Sequence, residues 1–277
     1  MNILYCGDKN IQDGVIISVL SLLKHVREPL HIYLLTADAG AGRLPQRFAE
    51  FLDRQVKEQN PENSVRSIDI SALFYAQPPT ANLKTRFTPC CMLRLYADLV
   101  EELPDRLLYL DNDVICREDP GGFYDQDLSS WELAGCLDYY GSWFFRKHLF
   151  KRDYLNSGVL LLNMKAIRTT GLFETCRDKC RNETMFMPDQ SAINKLCCRK
   201  KICPRKYNEQ RKLRRTTVFQ HFTTGFRFFP WFHTVSVKPW NVKAMHNTLH
   251  LHEYDDILQS YLRLKKEISY GSHILFH

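Results

Sequence analysis

The chain has 277 residues, of which 44% are hydrophobic and 25% charged, as in ordinary globular proteins. This composition excludes a disordered, collagen-like or fibrous protein, and the length suits a single α/β domain. The longest apolar stretch, residues 14–23, is too short to span a bilayer. Since the first residues carry no basic segment or small-residue cleavage site, we expect a cytoplasmic protein.

Strand and helix patterns alternate through the first half of the chain. The predicted strands are residues 3–6, 30–35, 65–70 and 107–110, and the predicted helices are residues 11–25, 44–59 and 88–99, the last with Thr88 as N-cap. This order predicts a mainly parallel, Rossmann-like sheet flanked by helices, with right-handed crossovers.

The second half is less regular. Strands are predicted at residues 132–137 and 158–162, and helices at residues 172–181, 189–196 and 255–267. Because no repeat or linker interrupts the pattern, we predict one domain over residues 1–254. Residues 255–277 are predicted to be a C-terminal helical extension of that domain.

The triplet Asp111-Asn112-Asp113 follows the apolar strand at residues 107–110 directly. Ligands of open α/β sheets bind at the carboxyl ends of strands, and two carboxylates there suit a divalent cation that neutralises a diphosphate. The alternative is a surface turn, which Asp and Asn also favour.

Asp8 and Asn10 follow the first strand, and the loop lacks the glycines of a dinucleotide or P-loop site. An acidic and amide pair there suits a uracil or a ribose. The alternative is an N-cap for the next helix, supplied by Asn10 or Asp13.

Asp189 and Gln190 begin a predicted helix, where Asp commonly faces the positive end of the dipole. Near a reacting sugar, the same groups stabilise an oxocarbenium-like centre. Helical spacing predicts that the two side chains point in different directions.

His221, in an apolar strand pattern, is either a core residue or a third ligand for a borderline ion such as Mn²⁺. Lys238 offers a cation for a phosphate.

Nine Lys or Arg residues and one acid, Glu209, occupy residues 199–215 of a chain with net charge +7. No nucleic-acid-binding motif accompanies this basic block, so nucleic acid is not an expected partner. A solvated face is the first expectation, and peripheral contact with an anionic membrane is the second.

Ten cysteines raise the question of zinc or disulfides. The richest cluster contains no pair of C-x-x-C knuckles, so we expect buried free thiols. The cluster comprises Cys176, Cys180, Cys197, Cys198 and Cys203.

Together these motifs resemble the family 8 retaining glycosyltransferases, which include bacterial lipopolysaccharide galactosyl- and glucosyltransferases and glycogenin-like enzymes. The resemblance runs from Asn2 to about Tyr254. It is carried, in order, by Asp8-x-Asn10, Arg94 in Leu93-Arg94-Leu95-Tyr96, Asp111-Asn112-Asp113, Asp138, Asn156-Ser157-Gly158-Val159, Asp189-Gln190, His221 and Lys238-Pro239-Trp240.

The resemblance implies a GT-A fold, a UDP-sugar donor, and Mn²⁺, with Mg²⁺ as the alternative ion, held by Asp111, Asp113 and His221. Its other implied roles are nucleotide contact by Cys6, Asp8, Asn10 and Lys238, donor-sugar contact by Arg94, Asn112, Asp138 and Asn156, and catalysis by Asp189 and Gln190. Asn208 also resembles a family position, with a structural role.

One departure concerns the third metal ligand. The family usually places its histidine close to the Lys-Pro-Trp motif, whereas a long aromatic stretch, residues 226–232, separates His221 from Lys238. His233 is nearer, but we prefer His221 because its surroundings match a strand. Residues 227–232 are predicted to form an acceptor wall or a hydrophobic contact with a membrane or partner.

The predicted reaction moves glucose or galactose from UDP to an acceptor hydroxyl with retention, the acceptor being a cell-envelope glycan or glycolipid at the inner face of the membrane. One alternative is a sugar-1-phosphate nucleotidyltransferase, which needs a Gly-rich basic loop after the first strand. The other is a non-catalytic module that binds polyanions or membranes.

Overall fold

A computed structural model describes residues 1–84, 89–139, 153–227 and 233–274. Its strands are β1 (Asn2–Cys6), β2 (His31–Thr36), β3 (Ser64–Asp69), β4 (Arg106–Leu110), β5 (Val114–Cys116), β6 (Leu133–Leu137), β7 (Leu155–Asn163), β8 (Lys200–Cys203), β9 (Phe219–His221), β10 (Gly225–Arg227) and β11 (His233–Val235). Its helices are α1 (Gln12–His25), α2 (Gln46–Gln59), α3 (Ser71–Ala76), α4 (Gly121–Tyr124), α5 (Met164–Thr170), α6 (Leu172–Asn182), α7 (Pro188–Leu196), α8 (Val242–Asn247) and α9 (Asp255–Ile274).

The central sheet has the strand order β3-β2-β1-β4-β7-β6-β8. Strands β1 to β4 are parallel, as are β6 and β8, whereas β7 runs antiparallel to both of its neighbours. The predicted mainly parallel α/β sheet is therefore confirmed, with β7 as its exception. Two small antiparallel sheets, β5 with β9 and β10 with β11, lie beside it.

Helices cover both faces of the central sheet. On one face, Ile3 and Tyr5 of β1 pack with apolar residues of α1, α2 and α9. On the other, Leu4 packs with α5, α6, α7 and the 3-10 helix Pro89–Leu99. Because neighbouring strand residues point to opposite faces, one strand supplies both cores.

Several local predictions need correction. The helix predicted at residues 88–99 is a 3-10 helix that includes Pro89–Leu99, and Thr88 lies outside the described residues. Neither Asn10 nor Asp13 caps α1, because its N-cap residue is Ile11, which makes no side-chain cap bond. Asp13 instead pairs with Lys265 of α9 at 2.7 Å.

Helix α9 packs along α1 and is longer than predicted. Besides the ion pair between Asp13 and Lys265, a second ion pair joins the two helices: Lys24 Nζ of α1 lies 2.5 Å from Asp256 Oδ2 of α9. Across the described ranges, we find no helix with both the length and the apolar character that crossing a membrane requires.

A buried ion pair anchors the 3-10 helix that carries Arg94. Arg177 of α6 lies 2.5 Å from Asp98, and their side chains are 2% and 9% exposed. Arg177 also donates to the carbonyl of Leu95 and, at 3.2 Å, to the side chain of Gln77. The Arg177 guanidinium therefore joins α6 to the 3-10 helix and to the segment after α3.

We expect Arg177→Met to lower the free energy of unfolding by about 3–5 kcal/mol, because it leaves the Asp98 carboxylate buried without a partner. The matched control is Lys24→Met, whose ion pair with Asp256 is exposed and worth roughly 0–1 kcal/mol. Urea denaturation of both variants measures the difference. Equal losses would contradict the anchoring role of Arg177.

Candidate active site

One edge of the central sheet collects the polar residues that the sequence singles out. Strands β1, β4 and β6 end there, and β7 begins there because it runs antiparallel to β4 and β6. Asp8, Asp111 and Asp138 follow the three strand ends, and Asn156 is the second residue of β7. The backbone N–H of Asp111 donates to the carbonyl of Gly158 at 2.8 Å, which joins two of these segments.

Asp111, Asp113 and His221 form a cluster at this edge. Strand β9 pairs with β5 and sets His221 opposite Val114, immediately after the triplet. His221 Nε2 lies 3.6 Å from Asp111 Oδ2 and 3.2 Å from Asp113 Oδ1. One ligand atom from each residue falls within 4.8 Å of the others, so the three side chains could hold a metal ion. Two carboxylate oxygens and one imidazole nitrogen fit a divalent cation.

The second oxygen of each carboxylate is held by other side chains. Asp111 Oδ1 accepts from Arg94 Nη2 at 2.9 Å and from the Tyr109 hydroxyl at 2.6 Å. Asp113 Oδ2 accepts from Lys238 Nζ. Each carboxylate is thereby fixed through one oxygen while the other faces His221.

Charge balance keeps Asp113 ionised. Burial raises the pKa of its carboxyl, but His221 and Lys238 lower it by more, so the pKa of Asp113 lies well below its usual range. The deprotonated carboxylate is the form that binds a metal ion.

Arg94 is a buried cation between two carboxylates. Its side chain is 4% exposed, with Nη2 on Asp111 and Nε 3.3 Å from Asp189 Oδ2. Nη1 donates to the carbonyl of Ser157 at 2.5 Å, and the guanidinium lies 3.9 Å from the ring centre of Tyr109. Burial lowers the pKa of Arg94, but Tyr109, Asp111 and Asp189 raise it above its usual value. Arg94 therefore stays charged and ties β4 to α7.

Asp189 and Gln190 both reach Ser157 at the start of β7. Asp189 Oδ2 accepts from the Ser157 hydroxyl at 3.1 Å, and Gln190 Oε1 accepts from its backbone N–H at 2.9 Å. The expectation that they point apart is therefore wrong, because β7 begins against the first turn of α7. Gln190 also donates to Asp138 Oδ2 at 2.7 Å and accepts from Asn156 Nδ2 at 3.3 Å.

The predicted nucleotide residues lie around the end of β1. Cys6 is its last residue, and Asp8 Oδ1 accepts from the backbone N–H of Asn10 at 2.9 Å, capping a short turn. Asp8 is buried and Asn10 exposed. Asn112 packs against α1, where a Cβ on Gly14 would lie 2.9 Å from its Nδ2. Nucleotide contact by Cys6, Asp8 and Asn10 stays a prediction, as does sugar contact by Asn112.

Gly158 leaves room for the acidic cluster. A Cβ at this position would lie 2.1 Å from His221 Cε1 and 2.7 Å from Asp111 Oδ2. Any side chain here would therefore displace two of the three candidate ligands.

The ten cysteines are free, in agreement with the expectation of free thiols. Four of the five cluster members are buried as expected, but Cys198 is exposed. Burial raises the pKa of Cys180 and Cys197 to about 12, so these thiols stay protonated and are poor metal ligands at neutral pH. No cysteine belongs to a candidate metal cluster among the described residues.

The basic block contributes two arginines beside the site. The guanidiniums of Arg205 and Arg211 lie 4.5 and 4.4 Å from the ring centre of Tyr139, which directly follows Asp138. Residues 228–232 and the side chain of His233 lie outside the described part of the structure, so the predicted acceptor wall and the alternative ligand stay predictions.

Sequence reasoning assigned no contact to four contributors to this site, Tyr109, Ser157, Gly158 and Asn208. Ser157 and Gly158 were noted only within a family motif, and Asn208 only as a family position with a structural role. Tyr109 and Ser157 hold the carboxylates, and Asn208 contacts His221 at 3.2 Å. The sequence places Gly158 in a predicted apolar strand. A glycine in a strand often marks a site where a ligand or another part of the chain approaches closely. The two hydroxyls carried no such signal, and the resemblance that marked Asn208 did not show its contact with His221.

We expect Gly158→Ala to weaken divalent metal binding by at least about tenfold, since its Cβ clashes with His221 and Asp111. Calorimetric titration with Mn²⁺ measures the affinity. Gly122→Ala is the matched control, because its Cβ would meet only the Tyr207 hydroxyl, at 3.2 Å. Unchanged affinity in Gly158→Ala would exclude the cluster as the metal site.

Comparison with solved structures identifies the fold. The galactosyltransferase LgtC, solved with donor and acceptor sugar analogues, superposes with a TM-score of 0.69 at 18% identity, covering 94% of this chain and 96% of that one. The bifunctional glycosyltransferase WbbM gives 0.71 at 16% identity, over 96% of this chain and 51% of WbbM. The chain therefore has the GT-A fold.

Sequence comparison gives the family. Lipopolysaccharide 1,2-glucosyltransferase of Escherichia coli is 24% identical over 225 residues, which are 75% of this chain and 62% of the relative. Glycosyltransferase GlyF of Streptococcus pneumoniae serotype 4 is 25% identical over 64% of this chain and 40% of its own length. The chain thus spans less than two thirds of each of these relatives. The family model for glycosyl transferase family 8 matches residues 2–244, and the chain belongs to that family.

Proposed function

We propose that this glycosyltransferase moves a hexose, glucose or galactose, from a UDP-sugar to an acceptor hydroxyl with retention at the anomeric carbon, using Mn²⁺ or Mg²⁺. One observation carries the proposal. Ligand atoms of Asp111, Asp113 and His221 converge at the sheet edge of a family 8 chain, beside the ammonium of Lys238.

The charges suit a diphosphate with a metal ion. When bound, the ion would stabilise negative charge on the departing UDP. Lys238 Nζ donates to Asp113 and, at 2.9 Å, to the carbonyl of Phe222, which holds its charge at the cluster. From there it can contact the phosphates. Asp8, Asn10 and Cys6, at the end of β1, are proposed to contact the uridine.

The sugar is proposed to lie beside Asp138, Asn156 and Asn112. Arg94 was predicted to contact it, but its bonds to Asp111, Asp189 and Ser157 favour a positioning role through those residues. The Gln190 amide joins Asp138 to Asn156 and so places both polar groups.

The contacts favour front-face attack over a covalent intermediate. A nucleophile needs a free electron pair aimed at the anomeric carbon, and an amide is a poor nucleophile. Ion pairing of Asp189 Oδ2 with Arg94 and its bond from Ser157 lower the nucleophilicity of this carboxylate, and Gln190 is hydrogen-bonded through both ends of its amide. The leaving phosphate then removes the acceptor proton, while Asp189 and Gln190 stabilise positive charge on the sugar.

The proposed acceptor is a cell-envelope glycan or glycolipid. The relative from Escherichia coli is named as a lipopolysaccharide glucosyltransferase. Arg205 and Arg211 beside Tyr139 form a positive surface next to Asp138, which suits an anionic acceptor or an anionic membrane at the inner face. A cytoplasmic location, peripheral at the inner face of the membrane, is part of the same proposal.

We expect Asp113→Asn to reduce Mn²⁺-dependent UDP release from UDP-glucose or UDP-galactose by on the order of 100-fold or more, because a charged ligand is lost. Water is a slow acceptor, so the assay needs no glycan. Asp178→Asn, on the exposed face of α6, is the control and keeps the wild-type rate. An unimpaired Asp113→Asn enzyme with native circular dichroism would refute the metal assignment.

Gln190→Ala should slow turnover by on the order of 100-fold while UDP still binds, because the amide orients Asp138 and Asn156 around the sugar. Rates come from UDP release, and UDP affinity from calorimetry with Mn²⁺. Gln59→Ala, exposed on α2, is the control. A wild-type rate in Gln190→Ala would remove this residue from the site.

A further inference from the structure

We infer that Asn208 is a positioning residue: when His221 binds the metal ion through Nε2, Asn208 holds the hydrogen of the neutral imidazole on Nδ1. The inference rests on the proposed function, because it gives His221 the role of ligand. Asn208 is fully buried and His221 is 5% exposed, so both depend on protein partners.

Backbone N–H groups fix the orientation of the Asn156 side-chain amide, which begins a series of hydrogen bonds that leads to His221. The N–H of Gly158 donates to Asn156 Oδ1 at 3.0 Å, and a backbone N–H can only donate. Asn156 Nδ2 therefore points the other way, to Gln190 Oε1 at 3.3 Å. That oxygen is fixed in turn by the backbone N–H of Ser157 at 2.9 Å. Two backbone donors thus determine the orientation of Asn156.

The orientation of Asn156 determines that of Asn208. Asn208 Nδ2 lies 2.9 Å from Asn156 Oδ1, which is an acceptor, so the amide nitrogen of Asn208 must face it. Asn208 Oδ1 consequently faces the other way and lies 3.2 Å from His221 Nδ1. A carbonyl oxygen only accepts, so Nδ1 must carry the hydrogen.

This control matters because the neighbouring carboxylates favour the other tautomer. Asp113 Oδ1 lies 3.2 Å and Asp111 Oδ2 3.6 Å from Nε2, and both would accept a hydrogen placed there. A neutral imidazole with its hydrogen on Nε2 has no electron pair for the ion on that side. Asn208 offsets this preference by accepting the hydrogen on Nδ1. In metal sites generally, the group that accepts from the second ring nitrogen of a histidine ligand fixes its tautomer.

The test compares Asn208→Ala with Asn208→Asp. The alanine variant removes the acceptor and should weaken Mn²⁺ binding about 10–100-fold in calorimetric titration. The aspartate variant keeps an acceptor oxygen for Nδ1–H, while its second oxygen replaces the amide nitrogen that faces Asn156 Oδ1. It should bind Mn²⁺ about tenfold more tightly than Asn208→Ala. Asn63→Ala is the control for loss of a buried amide, since Asn63 is 3% exposed in another part of the fold.

A second readout reports the tautomer directly. In protein labelled with ¹⁵N-histidine and loaded with diamagnetic Mg²⁺, we expect a protected Nδ1–H signal that His221→Ala removes. The signal should disappear in Asn208→Ala and persist in Asn208→Asp.

The outcomes separate the two proposals. Should His221→Ala bind Mn²⁺ like the wild type, the metal site itself is wrong. If His221→Ala loses binding but Asn208→Ala keeps both the affinity and the Nδ1–H signal, only the role of Asn208 is refuted. An Asn208→Asp variant that shows the Nδ1–H signal but binds Mn²⁺ as weakly as Asn208→Ala would also contradict it, because the acceptor oxygen then makes no difference to the metal.

Discussion

The buried guanidinium of Arg94 is the interaction on which the rest of the site depends. It holds Asp111 at the end of β4 and Asp189 at the start of α7, two segments far apart in sequence. A buried charge is tolerated only when it is paired and hydrogen-bonded, and Arg94 also has the Ser157 carbonyl and the Tyr109 ring. The same contacts that stabilise the cation therefore set the positions of two carboxylates.

A second set of contacts links the sugar side of the site to the metal side. Asp138, Gln190, Asn156, Asn208 and His221 form one continuous series of side-chain hydrogen bonds. Each amide has an acceptor on one end and a donor on the other, so the orientation of one determines the next. A donor sugar that contacts Asp138 or Asn156 would thus act on groups already aligned with the proposed metal ligand.

Much of this arrangement follows from sequence, because it depends on strand ends. The triplet Asp111-Asn112-Asp113 comes after an apolar strand, and the carboxyl ends of parallel strands meet at one edge of the sheet whatever the strand order. The antiparallel direction of β7 could not be inferred. All but its last residue are buried, and a continuous buried run is typical of a parallel strand. Asn208 and Arg94 were recognised as family positions, but their partners come from other segments, and only the folded chain shows which oxygen faces which donor. The cap after β1 depends only on neighbouring residues. A cap was predicted in this segment, but it was assigned to Asn10 or Asp13, whereas Asp8 caps the short turn.

We propose that Asp111, Asp113 and His221 hold the ion that binds the diphosphate. Diffraction from crystals grown with Mn²⁺ and UDP, with anomalous data that locate manganese, tests it most directly. We expect one manganese peak in contact with Asp111 Oδ2, Asp113 Oδ1 and His221 Nε2, and with phosphate oxygens of UDP. A peak that bridges UDP to other side chains, or UDP bound there without manganese, would contradict it.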